Sequence, residues 1–228
     1  MKRFTVFLAA PVLTFTAIAL IACENPADKA VKGKVEEAQP VGSNAEGSQA
    51  MVPPADGASG EKLTIDPSTS QITWVGSKVT GKHDGGFKTF TGSINLDPKN
   101  LAASVIKIDI DTNSLYADNE KLTTHLKSAD FFNVEKHPKA SFESTKIVVD
   151  SAEGATHQVT GNLTLNGVTK SVTFPATINV SNSEVSSASE FAINRKDWNL
   201  VYPGMPDDLI RDEVVVKLSV KASRAQGA

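Results

Sequence analysis

Three sets of side chains in this 228-residue chain are of types that could do chemistry: one cysteine, four histidines and a charged run near the C-terminus. Cys23 offers a single thiol for acylation or thioether formation, and being alone it excludes an internal disulfide and a Cys-rich zinc site. His83, His137 and His157 fall in different turns, and no metal is assigned to them. His125 borders an apolar helical stripe and reads as a hydrogen-bonded structural histidine, with contact to a ligand as the alternative. Arg195, Asp197, Asp207, Asp208, Arg211 and Asp212 gather around a loop holding Trp198, Tyr202, Pro203 and Gly204. There Arg195 or Arg211 could meet an anionic group, because guanidinium matches phosphate geometry. The competing reading is a set of rim ion pairs. A carboxylate such as Asp197 or Asp212 could also serve acid/base work, but no G-x-S-x-G elbow, H-E-x-x-H, P-loop or dinucleotide fingerprint occurs. The expectation is therefore no enzyme and no cofactor.

The surroundings of Cys23 define what its thiol does. Lys2 and Arg3 precede an uncharged run from Phe4 to Ala22, the layout of an export signal, although 19 residues also suffice for a transmembrane anchor. The run ends in Leu20-Ile21-Ala22-Cys23, which resembles the lipobox of bacterial lipoproteins. That resemblance implies cleavage before Cys23 and attachment of a diacylglycerol and usually an acyl chain to it. One acyl chain gives only marginal binding, roughly 10⁴ M⁻¹, whereas two or three hold a protein stably. The expected location is the cell envelope, and in a Gram-negative host Glu24 favours the outer membrane, facing the periplasm. With 26 acidic and 23 basic side chains and no basic block, the chain is not expected to bind nucleic acid.

Behind the cysteine, Glu24 to Gly60 has no Phe, Trp, Tyr, Leu or Ile but four prolines and five glycines. So little apolar surface predicts a disordered linker over residues 23–60, and 37 residues of flexible coil would span about 35 Å. The expected divisions are a signal over 1–22, the lipidated cysteine and linker over 23–60, and one domain over 61–228.

Eight stretches of that domain read as strands. They are 71–79, 87–95, 103–111, 139–149, 156–165, 169–180, 184–194 and 213–222. The alternation is clear in Ile106, Ile108 and Ile110, and again in Val214, Val216, Leu218 and Val220. Gly85-Gly86 and Asn166-Gly167 are the expected hairpin turns, and Pro175 marks a bulge or an unpaired edge position. Residues 117–132 read as helical, with a break near Ser128. Long consecutive strands predict an all-β fold, an eight-stranded antiparallel barrel with a short helical segment, in preference to a sandwich. A membrane-spanning barrel would need its apolar face outward and aromatic girdles at both rims.

Several blocks carry a resemblance to a known family. They are Ile65-Asp66-Pro67-Ser68, Ile72-Thr73-Trp74, Gly81 to Phe87, Phe90-Thr91-Gly92, Leu122 to Phe132, Phe142-Glu143-Ser144-Thr145, Thr160 to Leu163, Asn166 to Lys170 and Ile193 to Asp197. In this order they resemble the YceI-like family of bacterial envelope proteins. The resemblance implies a lipocalin-like barrel whose apolar interior in some members holds a polyisoprenoid or related amphiphile, with no established catalytic centre. The lipobox and long linker depart from many members. Candidate lining residues are Trp74, Phe87, Phe90, Phe142, Phe174, Phe191 and Ile193, with Leu126, Phe131 and Phe132 as a lid. Ordinary core packing is the alternative for each of them. The function expected is a membrane-anchored binder of a polyisoprenoid or similar lipid. A filled barrel acting through its surface, or a lipid-acting hydrolase or isomerase, are the competing readings. Protein partners are not indicated.

Overall fold

The computed structural model describes residues 25–40 and 60–224. The run Phe4–Ala22, Cys23 and linker residues 41–59 lie outside the described residues.

Period-two patterning becomes a curled, largely antiparallel sheet. Its strands are β1 (Val31–Lys32), β2 (Lys34–Glu37), β3 (Glu61–Thr64), β4 (Gln71–Lys78), β5 (Gly81–Phe87), β6 (Phe90–Leu96), β7 (Val105–Asp111) and β8 (Leu115–Ala117). Then follow helix α1 (Glu120–Lys127), β9 (Lys139–Val149), β10 (His157–Leu165), β11 (Val168–Val180), β12 (Glu184–Asn194) and β15 (Glu213–Ser223). A small hairpin, β13 (Gly204–Met205) with β14 (Asp208–Leu209), precedes β15. All eight expected strands occur, each within three residues of its expected bounds, but the sheet has more than eight: β5 is a further full strand, which pairs with β4 in place of the expected partner β6, and shorter pieces are added. The spatial order is β3-β6-β7-β9-β10-β11-β12-β15-β4-β5-β8. Only Lys88–Thr89 separate β5 from β6, and these pair with β8 and β7 respectively, so one bent ribbon forms both ends of the order. Beyond β3, Ile65 bridges Ala222 of β15, which brings the curled sheet round on itself.

Two local expectations change, and of the two readings of Pro175 the unpaired position is the one found. The turn between β4 and β5 lies at Val79–Thr80, and Gly85-Gly86 sit inside β5. Gly85 faces Trp74 across the ladder, and a Cβ there would meet the indole at 2.2 Å, so glycine provides room for the ring. The helical segment is shorter than expected. Asn119 accepts the Leu122 N–H as its N-cap, α1 stops at Ser128, and Phe131 and Phe132 follow in a turn. Pro175 makes no bulge against β10, where it faces Gln158 in continuous register. The ladder between β11 and β12 instead holds only from Val180 up to Thr177, opposite Ala188, and stops short of Pro175, which lacks the N–H to extend it.

The largest correction concerns the linker, because residues 25–40 are ordered on the barrel. Past Pro175 strands β11 and β12 part, and the N-terminal arm fills the slot between them. β1 runs parallel to β12, with Val31 opposite Phe191, and β2 runs antiparallel to β11, with Val35 opposite Val172. Gly33 crosses from one partner to the other, donating its N–H to Ala192 O at 2.8 Å. A Cβ at Gly33 would lie 3.1 Å from the Phe191 ring. Before the slot, a 3₁₀ turn over Pro26–Asp28 lays Ala27 on Val75, Ala192 and Val215. Those three form an apolar patch outside the barrel, which explains why β4 is apolar on both faces. Asn25 is buried and accepts the Ser77 hydroxyl at 2.8 Å. Backbone pairing, rather than large apolar side chains, orders this segment.

The inner faces form two apolar clusters, one around Ile65, Leu96, Leu115 and Phe90 and one around Val172, Phe174, Phe191 and Trp198. Outward positions such as Lys107 and Asp109 are exposed, the reverse of a membrane-spanning barrel.

Ala27 is 1% exposed, so Ala27→Asp would bury an unpaired carboxylate, at a cost of several kcal/mol. The expected outcome is release of the arm: amides of Val31–Glu37 lose hydrogen-exchange protection while those of β9 and β10 keep theirs.

Candidate functional site

The two clusters do not meet throughout the interior. A cavity of about 500 Å³ lies between them, within the usual size of small-molecule sites, roughly 300–1,000 Å³. Its walls are the faces given by alternation: Ile106, Ile108 and Ile110 of β7, Val159, Leu163 and Leu165 of β10, and Val214, Val216, Leu218 and Val220 of β15. Aromatic rings thicken one side, where Phe174 stacks on Phe191 with centroids 4.3 Å apart and Phe142 tilts against Phe174 at 5.7 Å.

Of the candidate residues, Trp74, Phe87, Phe142, Phe174, Phe191 and Ile193 line the cavity. Leu126, Phe131 and Phe132 from α1 and the turn after it also line it. Phe132 meets Phe87 edge-to-face at 6.0 Å, and Phe131 touches Tyr202 at 5.2 Å. Phe90 is 5% exposed but packs within the first cluster and contributes no lining. Arg211 is exposed and lies outside the lining as well. Choosing aromatic residues as candidates missed the branched aliphatic rows, although the same alternation marks them. It also missed Trp198, Leu200 and Tyr202, which a loop places in the wall.

The lining is mostly buried at the end bounded by Leu96, Ser104 and Val185. At the other end it includes Lys78, His83 and Met205, of which Met205 is 61% exposed, and this end is the mouth. Polar groups here hold one another. Lys78 donates to the Asp208 carboxylate, which also accepts the N–H and hydroxyl of Thr80. The bond from Lys78 above all, with those from Thr80, keeps that carboxyl below the ordinary aspartate range in spite of burial. His125 pairs with Asp130 at 3.0 Å and stands edge-on to Tyr202, so it is a structural histidine that also touches the cavity. His83 pairs with Asp118 at 2.9 Å.

Arg195 is 4% exposed, and its guanidinium serves the loop that returns to β15. It donates to the carbonyls of Leu200, Ile210 and Arg211 and to the Asp212 carboxylate. Burial pushes it below its ordinary pKa, while Asp212 opposes that shift. Asp212 also receives Lys196 at 2.8 Å, so the charged run holds ion pairs, and Arg195 lines the cavity as well. Neither Asp197 nor Asp212 lines the cavity. Among the described residues no three His, Cys, Asp or Glu side chains converge as a metal site would require. One polar group at the wall stands apart: the Trp74 Nε1–H is buried and has no hydrogen-bond partner among the described residues.

The model of the YceI-like domain matches residues 63–222, the whole barrel except the arm and the last strand's end. The chain belongs to the YceI-like family. Among curated YceI-like relatives, a UPF0312 protein of Pseudomonas aeruginosa is 48% identical over 92 residues, which cover 40% of this chain and 47% of that protein. Protein YceI of Salmonella arizonae is 46% identical over the same length, again covering 40% and 47%. The chain thus spans about half the length of the curated relatives it matches. Among solved structures, BcnA of Burkholderia cenocepacia superposes with a TM-score of 0.62 at 25% identity, covering 69% of this chain and 99% of that one. A polyisoprenoid binding domain from Saccharophagus degradans gives 0.58 at 16% identity, over 72% and 98%, and shares the fold.

Because Arg195 donates to three loop carbonyls inside the YceI-like barrel, Arg195→Met should lower stability by about 3 kcal/mol, since buried acceptors left unpaired cost roughly 1–3 kcal/mol each. Urea unfolding reads this directly. Unchanged stability with weakened ligand binding would return Arg195 to the role of a headgroup contact.

Proposed function

We propose that this protein binds a polyisoprenoid or similar long-chain amphiphile in the barrel cavity, without catalysis, while anchored to a membrane of the cell envelope through lipidated Cys23. The carrying observation is the cavity itself, about 500 Å³ between two apolar clusters and walled by rows of Ile, Leu, Val and Phe. An apolar chain gains roughly 0.8 kcal/mol for each CH₂ moved from water into such a lining, so affinity follows chain length. The free Trp74 Nε1–H supplies one donor for an oxygen of the ligand, and an unmet donor in an apolar wall favours an amphiphile over a bare hydrocarbon. Family membership and the polyisoprenoid binding domain from Saccharophagus degradans support the same ligand class. The unfilled interior favours this reading over a solid barrel that works through its surface.

Native purification followed by organic extraction and mass spectrometry should recover a long-chain lipid; an empty extract from a folded protein would refute the proposal. Gly76 lines the cavity, and a Cβ there meets only the Trp74 ring at ordinary contact distances of 3.6 and 3.8 Å. Gly76→Leu should therefore fill part of the cavity, keep or slightly raise the melting temperature, and lower the co-purified lipid about tenfold, since losing two buried CH₂ contacts of the ligand costs that much.

Cys23→Ser should release the protein from membranes to the soluble envelope fraction. Continued retention of this variant by washed membranes would refute lipid anchoring at Cys23 and return the uncharged run Phe4–Ala22 to the role of a transmembrane anchor.

A further inference from the structure

Six large apolar side chains are exposed on the described surface, and four of them surround the cavity mouth: Val79, Val201, Met205 and Leu209. Val79 is the turn between β4 and β5, and its N–H donates to Leu209 O at 3.2 Å, which holds these two side by side. Met205 and Leu209 belong to the β13–β14 hairpin. Val201 lies between Leu200 and Tyr202, both of which line the cavity, so the loop turns two side chains inward and this one out. The remaining two, Val148 and Val149, sit at the opposite end of the barrel, at the close of β9. An apolar rim of this kind marks an interaction surface.

The N-terminal arm indicates what covers it. Asn25 is fixed against Ser77, next to Lys78 at the mouth. Cys23 precedes it by two residues, a reach of at most about 7 Å. On the anchored reading, the anchor point then lies within that reach of Asn25, on the mouth side of the barrel. Exposed charges near the mouth, Lys82, Asp84, Lys196, Asp207 and Arg211, are of mixed sign and do not select a charged surface.

Resting on the anchored-binder reading above, we propose that the rim of Val79, Val201, Met205 and Leu209 docks the cavity mouth on the bilayer surface. An amphiphile then passes between membrane and cavity without crossing water, and docking is driven by apolar contact, so it is insensitive to lipid charge and salt.

The test uses the full processed chain, purified from membranes and reconstituted into vesicles of neutral phosphatidylcholine. Met205→Cys, Leu209→Cys and, as control, Val149→Cys are each labelled with an environment-sensitive fluorophore, Cys23 being blocked by its lipid. Positions 205 and 209 should show a blue shift, and quenching by bilayer-embedded quencher lipids should be several-fold stronger there than at 149, unchanged between low and high salt. Equal quenching at all three positions, or stronger quenching at 149, overturns the docking. Extraction of lipid from the same preparations reports on cavity binding independently: lipid present with an unquenched rim refutes docking alone, whereas a quenched rim with no lipid refutes the binder and leaves the docking standing.

Discussion

The missing N–H of one residue shapes much of this barrel. Strands β11 and β12 pair from Val180 to Thr177, and the ladder stops before Pro175, which has no hydrogen to donate. From that point the two strands diverge and would leave a slot with unpaired backbone groups on both sides. Such groups are costly when buried, and the N-terminal arm satisfies them, with β1 on β12 and β2 on β11. The divergence has two consequences. It separates the strands that carry Phe174 and Phe191, whose stacked rings form one wall of the cavity. It also makes residues 25–40 a structural part of a barrel that would otherwise begin near Gly60.

The cavity shows how affinity and selectivity divide in such a site. Its walls come from alternation on strands of a rigid sheet, and they offer many weak contacts without direction. Three polar side chains of the lining are already engaged: Arg195 with three carbonyls and Asp212, Lys78 with Asp208, His125 with Asp130. Groups committed to the scaffold are poor readers of a headgroup, because recruiting them would leave their partners unpaired. The wall itself offers length and shape, and the unpaired indole N–H of Trp74 is a donor within it.

How far this was legible in the sequence depends on the range of the interaction concerned. Strict alternation in β7 and β15 identified both the strands and their inward faces, since a half-buried strand has no other way to satisfy water on one side and a core on the other. Asn166-Gly167 was equally readable, and both residues adopt positive φ, 48° and 74°. Gly85-Gly86 misled because a glycine pair marks either a turn or a place where a bulky neighbour lies close, and only the position of Trp74 across the ladder decides between them. The arm was invisible for a related reason. Its composition is that of a coil, and its order comes from backbone bonds to strands more than 130 residues away. The outer patch of Val75, Ala192 and Val215 was the one hint, an apolar outward face that required a cover. The long reach of Arg195 across its loop left no pattern either, although rim ion pairs were the favoured reading of the charged cluster over a binding site.

The arm and the cavity are not independent features. A Cβ placed on Gly33 would lie 3.1 Å from Phe191 Cδ2 and 3.4 Å from Val172 Cγ2, and both of those residues line the cavity. The arm's backbone therefore packs directly against the aromatic wall, closely enough that a Cβ there would press on Phe191. Displacing it would expose unpaired amides on β11 and β12 and remove the backing of Phe191 at once. Interiors are close-packed, so the seated arm and the aromatic wall share one continuous set of contacts.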